Sequence, residues 1–256
     1  MNIARKIARY GYRRDTLDRR DLLLAPQLVL APAAVSLRDH LPPAMDQGQL
    51  GSCTGHGSTG AMRTVLKRAG VGDVPLSRLQ AYYDARRYEG TINSDAGAEI
   101  RDVIRGIAWL GVAPEALWPY DESKVFVRPS AEAYAAALRY EIEYQRVGGL
   151  DGTAKAGDVK MALAAGHPVV FGFNVFNQFE SDACAQTGVI TMPADNEQPI
   201  GGHCVFLWGY GQKPGYFSAR NSWGQNWGDN GDFYLPEAFV EQQGSDFWAI
   251  TKVKPA

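Results

Sequence analysis

A thiol, an imidazole and two carboxamides occur in this sequence in an order that suits acyl transfer. Cys53 lies in the run Gln47-Gly48-Gln49-Leu50-Gly51-Ser52-Cys53-Thr54-Gly55-His56-Gly57, with Gln47 six places before the thiol. Gly202-His203-Cys204 lies 150 residues on, and Asn221-Ser222-Trp223-Gly224 follows after 18 more. A thiol attacks a carbonyl as thiolate, so its ordinary pKa of about 8.5 has to fall, and a helix N-terminus and a nearby imidazolium both lower it. His203 can carry the proton, and Asn221 can fix its tautomer with one hydrogen bond. The NH2 of Gln47 can join the backbone N–H of Cys53 around a developing oxyanion.

Each residue also has a plainer reading. A free cysteine is commonly a small buried hydrophobe. Asn221 could form a turn with Ser222, and Gln47 could be a loop residue in solvent. His56, three residues after Cys53 on the same helix, is a rival base, but it is poorly aimed at a thiol that must point into a cleft. His203 precedes the strand-like run Cys204-Val205-Phe206-Leu207-Trp208, which holds a base rigidly. His40 and His167 read as structural or solvent-facing. Cys53, Cys184, His203 and Cys204 could ligate zinc, but His203 and Cys204 would point to opposite faces of a strand and no paired-cysteine spacing exists. No metal and no cofactor are called for.

The elements that must position these groups divide into two halves. Ser52 caps a helix carrying Cys53 in its first turn, with Met62, Val65, Leu66 and Ala69 on one face and Gly70 as its stop. Gly55, Gly57 and Gly60 weaken that helix, which implies something pressed closely on it. The spacing predicts further helices over 99–110, 130–144 and 158–165. Short β-branched or aromatic runs then predict strands over 169–174, 203–209, 216–220 and 232–235. Helices first and strands second indicate an α+β protein of two unlike lobes, helical over 53–150 and strand-rich over 151–256.

The chain has 256 residues, 45% of them hydrophobic and 21% charged, enough for a sizeable core. Three cysteines do not make a disulfide framework; with Cys53 as nucleophile only Cys184 and Cys204 could pair. No apolar run suits a membrane span and no signal peptide is visible, so cytoplasmic residence is the default, although a leaderless export route would leave no mark. Residues 1–20 hold seven bases against two acids, a balance of +5, and the other 236 residues carry −7. Residues 1–36 thus form a distinct extension before a body at 37–256, read as a basic arm docking on an acidic body. Nothing else in the chain has the basic and aromatic pattern of a nucleic-acid binder.

These motifs resemble the papain-like cysteine peptidases, nearest to a compact bacterial subgroup of the xylellain type. The resemblance rests on Gln47-Gly48-x-x-Gly51-Ser52-Cys53, on Gly202-His203, and on Asn221-Ser222-Trp223-Gly224-x-x-Trp227-Gly228-x-Asn230-Gly231, over residues 37–256. Gly97 before a helix and Trp118-Pro119-Tyr120 after it also fit. The resemblance implies a two-lobed papain-like fold, a helical left lobe and a β-barrel-like right lobe with the active cleft between them. It implies Cys53 as nucleophile, His203 as general acid/base, Asn221 as its orienting partner and Gln47 as oxyanion donor. It implies Trp223 shielding the His–Asn bond, Gly97 and Ala98 presenting backbone to an extended substrate, and Gly202 offering its carbonyl. Leu50 and Thr54 depart from the family, replacing a usual cysteine and a usual tryptophan.

The function implied is an endopeptidase working through a thioester on Cys53, acting on polypeptides and open to protein or small-molecule cysteine-protease inhibitors, as a monomer. The long propeptide of plant and animal members is absent, so residues 1–36 are expected to serve as a short zymogen segment along the cleft. A Cys/His acyl transferase or deamidase, or a non-catalytic peptide binder, could use the same groups. The main pocket is expected near Phe171, Phe173 and Gly202, with an apolar or aromatic preference.

Overall fold

The computed structural model describes residues 10–25, 31–137 and 140–255. In chain order its elements are β1 (Tyr12–Arg13), β2 (Val35–Ser36), α1 (Cys53–Arg68), α2 (Arg78–Tyr88), β3 (Ala98–Glu99), α3 (Ile100–Leu110) and α4 (Ala131–Ala137). There follow β4 (Tyr140–Arg146), α5 (Ala156–Ala164), β5 (Val169–Val175), α6 (Asp182–Thr187), β6 (Gly201–Tyr210), β7 (Tyr216–Arg220), β8 (Asp232–Pro236), α7 (Glu237–Gln243) and β9 (Gly244–Pro255). None of the described helices is long and apolar enough to cross a membrane.

The main sheet runs β4-β9-β5-β6-β7-β8, antiparallel throughout, with β2 added on β6. Among the described residues its two end strands do not pair, so the strand-rich lobe is a large open antiparallel sheet and not a closed barrel. The end strands have other neighbours. Arg146 of β4 exchanges backbone hydrogen bonds with Leu22 and Leu24, while Tyr234 of β8 bridges Val189.

The two-residue side-chain period of the strands divides the core. Val205 and Leu207 of β6 join Phe171, Phe173, Phe179, Trp223 and Phe233 on one face. Cys204, Phe206 and Trp208 join Met62, Leu66, Tyr82, Val103 and Ile104 of the helical lobe on the other. The α1 glycines make this contact close: a Cβ at Gly57 would lie 3.2 Å from the Cys204 sulfur, and one at Gly60 2.6 Å from the Phe206 ring. Cys184 and Cys204 belong to opposite sides of the sheet and are free thiols, as is Cys53.

Several local expectations give way to tertiary context. The helix expected over 130–144 ends at Ala137 and the chain turns into β4, where Tyr140-Glu141-Ile142-Glu143-Tyr144 alternates apolar and polar residues; positions 138–139 lie outside the described residues. Helix α2 was not anticipated because its core-facing side includes Gln80, Asp84 and Arg86, all buried. Ser77 caps it by accepting from the Gln80 N–H at 3.1 Å. Ser52 precedes α1 but makes no side-chain cap; its hydroxyl lies 2.6 Å from the Tyr120 hydroxyl instead.

Residues 10–25 lie on the body, and charges of both signs hold them there. The arm's carboxylates sit on arginines of the body. Asp15 and Asp21 both reach Arg146 Nη2, at 3.0 and 3.1 Å, and Asp21 also reaches Arg101 at 3.3 Å. Asp18 approaches Arg105 at 3.5 Å. Arg13 pairs with Glu89, and Arg20 pairs with Asp18 of its own segment. Arg5, Lys6 and Arg9 lie outside the described residues.

Candidate active site

Cys53 opens α1, and its sulfur is wholly buried. Burial raises its pKa to about 11, and backbone N–H groups of Cys204, Gly11 and Thr54 offset part of the rise. The contact with the Cys204 N–H sets the sulfur of the helical lobe beside the residue that follows His203 on β6 of the strand lobe.

His203 is held by its far nitrogen. Nε2 lies 2.8 Å from Asn221 Oδ1, and because that oxygen can only accept, Nε2 carries the proton. The remaining ring nitrogen, Nδ1, is then the basic one. Asn221 Oδ1 also accepts from the Ser222 N–H at 2.8 Å, and Asn221 N–H donates to Gly231 O at 2.8 Å. Trp223 is buried with its ring 5.5 Å from the imidazole, against Phe179 at 4.8 Å, and so covers the His–Asn pair.

Gln47 lies in the turn before α1 and is fully buried. Its Nε2 donates to Leu50 O at 2.8 Å and its Oε1 accepts from Ser222 Oγ at 2.5 Å. Nε2 has a second hydrogen for an oxyanion. The Tyr120 hydroxyl donates to Gln47 O at 2.7 Å and touches Ser52 Oγ, tying the Gln47 turn to the residue before Cys53. Asp95 does the same from the other side, accepting from Gly51 N–H at 2.9 Å and from the Tyr82 hydroxyl at 2.5 Å. Reading the residues by type missed Tyr120, Ser222 and Asp95. Only Trp118-Pro119-Tyr120 and Asn221-Ser222 gave any signal, and that signal was family likeness.

His56, the rival base, is buried. Its Nδ1 lies 3.0 Å from Ser52 O and its Nε2 faces Arg78, and burial together with Arg78 pushes its pKa down to about 3. His56 is therefore neutral in the working range.

Gly97 and Ala98 form an edge that already carries a strand of this chain. Ala98 N–H donates to Gly11 O at 2.9 Å, and β1 pairs parallel with β3, Tyr12 opposite Ala98. Gly97 has φ +74°, and a Cβ there would lie 2.2 Å from Gly11 O. Across the cleft, a Cβ on Gly202 would meet Tyr12 O at 2.9 Å, and the Tyr10 ring stands edge-on to His203 at 5.9 Å. Phe171 and Phe173, expected at the pocket, instead stack at 5.7 Å inside the strand lobe. The residue between them, Gly172, faces the cleft, because alternate strand residues point to opposite faces.

The comparisons with known proteins agree on one family. A model described as papain family cysteine protease matches residues 31–244. An uncharacterised peptidase C1-like protein of Acanthamoeba polyphaga mimivirus is 35% identical over 270 aligned positions, 95% of this chain and 87% of that protein. Pro-cathepsin H of Medicago truncatula is 29% identical over 195 positions, 74% of this chain and 52% of its own length, so the chain spans about half of that relative. The crystal structure of xylellain, a cysteine protease from Xylella fastidiosa, is similar with a TM-score of 0.86 at 34% identity, covering 96% of each chain. This chain belongs to the papain family of cysteine proteases and is a thiol-dependent peptidase.

Proposed function

We propose that this protein is an endopeptidase that cleaves polypeptides through a thioester on Cys53, and that residues 10–25 hold it in a restrained state. In this reading the Cys53 sulfur attacks the scissile carbonyl carbon while its proton passes to His203 Nδ1. The carbonyl oxygen takes the negative charge and is met by the Cys53 N–H and Gln47 Nε2. The intermediate collapses as the imidazolium gives its proton to the leaving amine, and the acyl group remains on sulfur. Water then gives a proton to His203 and attacks the thioester, releasing the carboxylate product and the thiol. Asn221 keeps Nε2 protonated and the ring aimed through both steps. Protein or small-molecule inhibitors with an electrophile would be expected to use the same thiol.

The observation that carries the reading is the thiol of α1 beside β6 at the residue after His203, with His203 Nε2 bonded to Asn221 Oδ1. Restraint is supported by what the arm presents to the nucleophile. The Gly11 N–H is hydrogen-bonded to the sulfur, and Gly11 O is engaged by Ala98, so the arm occupies the nucleophile's side of the cleft.

Gly11→Ala in the full chain tests both parts. A Cβ there would lie 1.7 Å from Gly51 O, a backbone atom that cannot yield, so the arm must leave. Alkylation of Cys53 by an epoxide or vinyl-sulfone probe and hydrolysis of a denatured protein substrate should both rise by about tenfold or more, which corresponds to ~1.4 kcal/mol. Unchanged rates would argue against restraint. No labelling in either protein would argue against the nucleophile, and product formation that needs an added amine instead of water would point to acyl transfer.

A further inference from the structure

The arm's Tyr12 fills a pocket whose chemistry is more particular than an apolar slot. Its ring lies over Gly172, where even a Cβ would come 2.0 Å from ring Cζ, and beside Gly202 next to His203. At the far end the hydroxyl donates to Asp246 Oδ2 at 2.6 Å, and its oxygen lies 2.6 Å from Ser245 Oγ. A phenol has one proton, so with that proton on Asp246 it accepts from Ser245. Both partners are buried.

The floor of this pocket is built from the body, and the arm adds one contact to it, the Asp15 N–H donating to Asp246 Oδ2 at 2.8 Å. Asp246 holds a left-handed backbone at φ +54°, unusual for a residue with a side chain. Its N–H donates to Gly152 O at 2.8 Å, and its Oδ1 takes Arg146 Nη1 at 3.2 Å, leaving Oδ2 toward the pocket. With the arm's Asp15 and Asp21 withdrawn, Arg146 and Asp246 balance each other one to one. A neutral donor then suits the floor better than a second cation would.

We propose that the Tyr12 pocket is the enzyme's specificity pocket, and that Gly172, Ser245 and Asp246 select substrates carrying a tyrosine beside the scissile bond. This rests on the endopeptidase reading above. Gly172 supplies the depth for the ring, and Ser245 and Asp246 read the hydroxyl as donor and acceptor together. Phenylalanine would fill the same space and leave two buried polar groups unpaired, the situation that gives hydroxyl-reading sites their discrimination. The arm's own tyrosine is then a mimic of the side chain the pocket takes.

The test uses the full chain carrying Gly11→Ala and fluorogenic peptides identical except for Tyr, Phe, Leu or Arg at each position flanking the cleaved bond. Tyr should exceed Phe in kcat/KM by about tenfold at one position and exceed Arg there as well. Adding Gly172→Ala should reverse the order in favour of Leu. Equal rates for Tyr and Phe, or a preference for Arg, would overturn the pocket assignment while leaving the peptidase reading intact. No cleavage of any peptide, with Cys53 unlabelled and the circular dichroism of the native fold, would sink the peptidase reading and the pocket with it. Tyr12→Phe in the otherwise native chain gives a readout without turnover: probe labelling of Cys53 should rise by about tenfold, and labelling unchanged from native would count against the hydroxyl contacts.

Discussion

At the scale of single residues, roles follow from which atoms are left after the structural hydrogen bonds are made. His203 Nε2 is taken by Asn221, which leaves Nδ1 as the ring nitrogen for the proposed proton transfer. Gln47 has one amide hydrogen on Leu50 O and a second for the proposed oxyanion contact. Gln47→Ala is expected to lower kcat by ~10²–10³ with little change in KM, measured in the arm-released Gly11→Ala chain, because the lost donor acts only on developing charge. His56 is a contrasting case, the same residue type in a site that keeps it neutral down to about pH 3. His56→Phe should leave the acid limb of the kcat/KM profile where it was, and a moved limb would return His56 to the list of bases. Sequence spacing favoured His203 over His56 on the argument of aim. Burial and the Arg78 contact supply the electrostatic side of that choice, which spacing could not carry.

At the scale of elements, the arm and β3 form one device, and its pH response has a definite sign. Asp15 is buried among Arg146, Asp246, Asp21, Trp248 and the Arg101 N–H. Burial, and then the neighbouring Asp246 charge, raise its pKa to about 7 despite the Arg146 contact, which is shared by three carboxylates. A raised carboxyl favours the docked arm when protonated. Docking is therefore strongest below the ordinary range of about pH 4 and weakens as pH rises through about 7. Amide exchange at Ala98, corrected for its intrinsic rate, should show protection falling from about pH 5 to about pH 8 in the native chain and staying level in Asp15→Asn. Protection that rises with pH in the native chain would contradict this sign. The arm's net basic charge hid the arrangement, because composition sums charges while burial selects among them. The three acids at 15, 18 and 21 meet Arg146, Arg105 and Arg101, and Arg20 pairs with Asp18 of its own segment.

At the scale of the whole molecule, Arg146 joins parts far apart in the chain: β4, the arm at Asp15 and Asp21, and β9 at Asp246. Its side chain is 1% exposed and its guanidinium lies 4.4 Å from the centre of the Trp248 ring. Arg146→Ala would leave three buried carboxylates without their shared cation and should cost about 3–5 kcal/mol, read as a lower urea midpoint at unchanged m-value. A loss below ~1 kcal/mol would mean that water or Arg101 takes over the charges. The sequence alone carried the family motifs, the order of helices before strands, and the strands with clear two-residue alternation, because local period and residue type are written in adjacent positions. It did not carry α2, whose buried polar residues look like a surface, or β4, whose alanine-rich approach reads as helix. Nor could it tell an open sheet from a closed one. Those outcomes depend on which distant groups accept a buried Gln80, Asp84 or Arg86 and on what covers each sheet edge. That Tyr12 lies over Gly172 with its hydroxyl on Asp246, 234 residues along the chain, was decided by tertiary structure alone, since no local pattern encodes a contact between segments that meet only when the lobes close on each other.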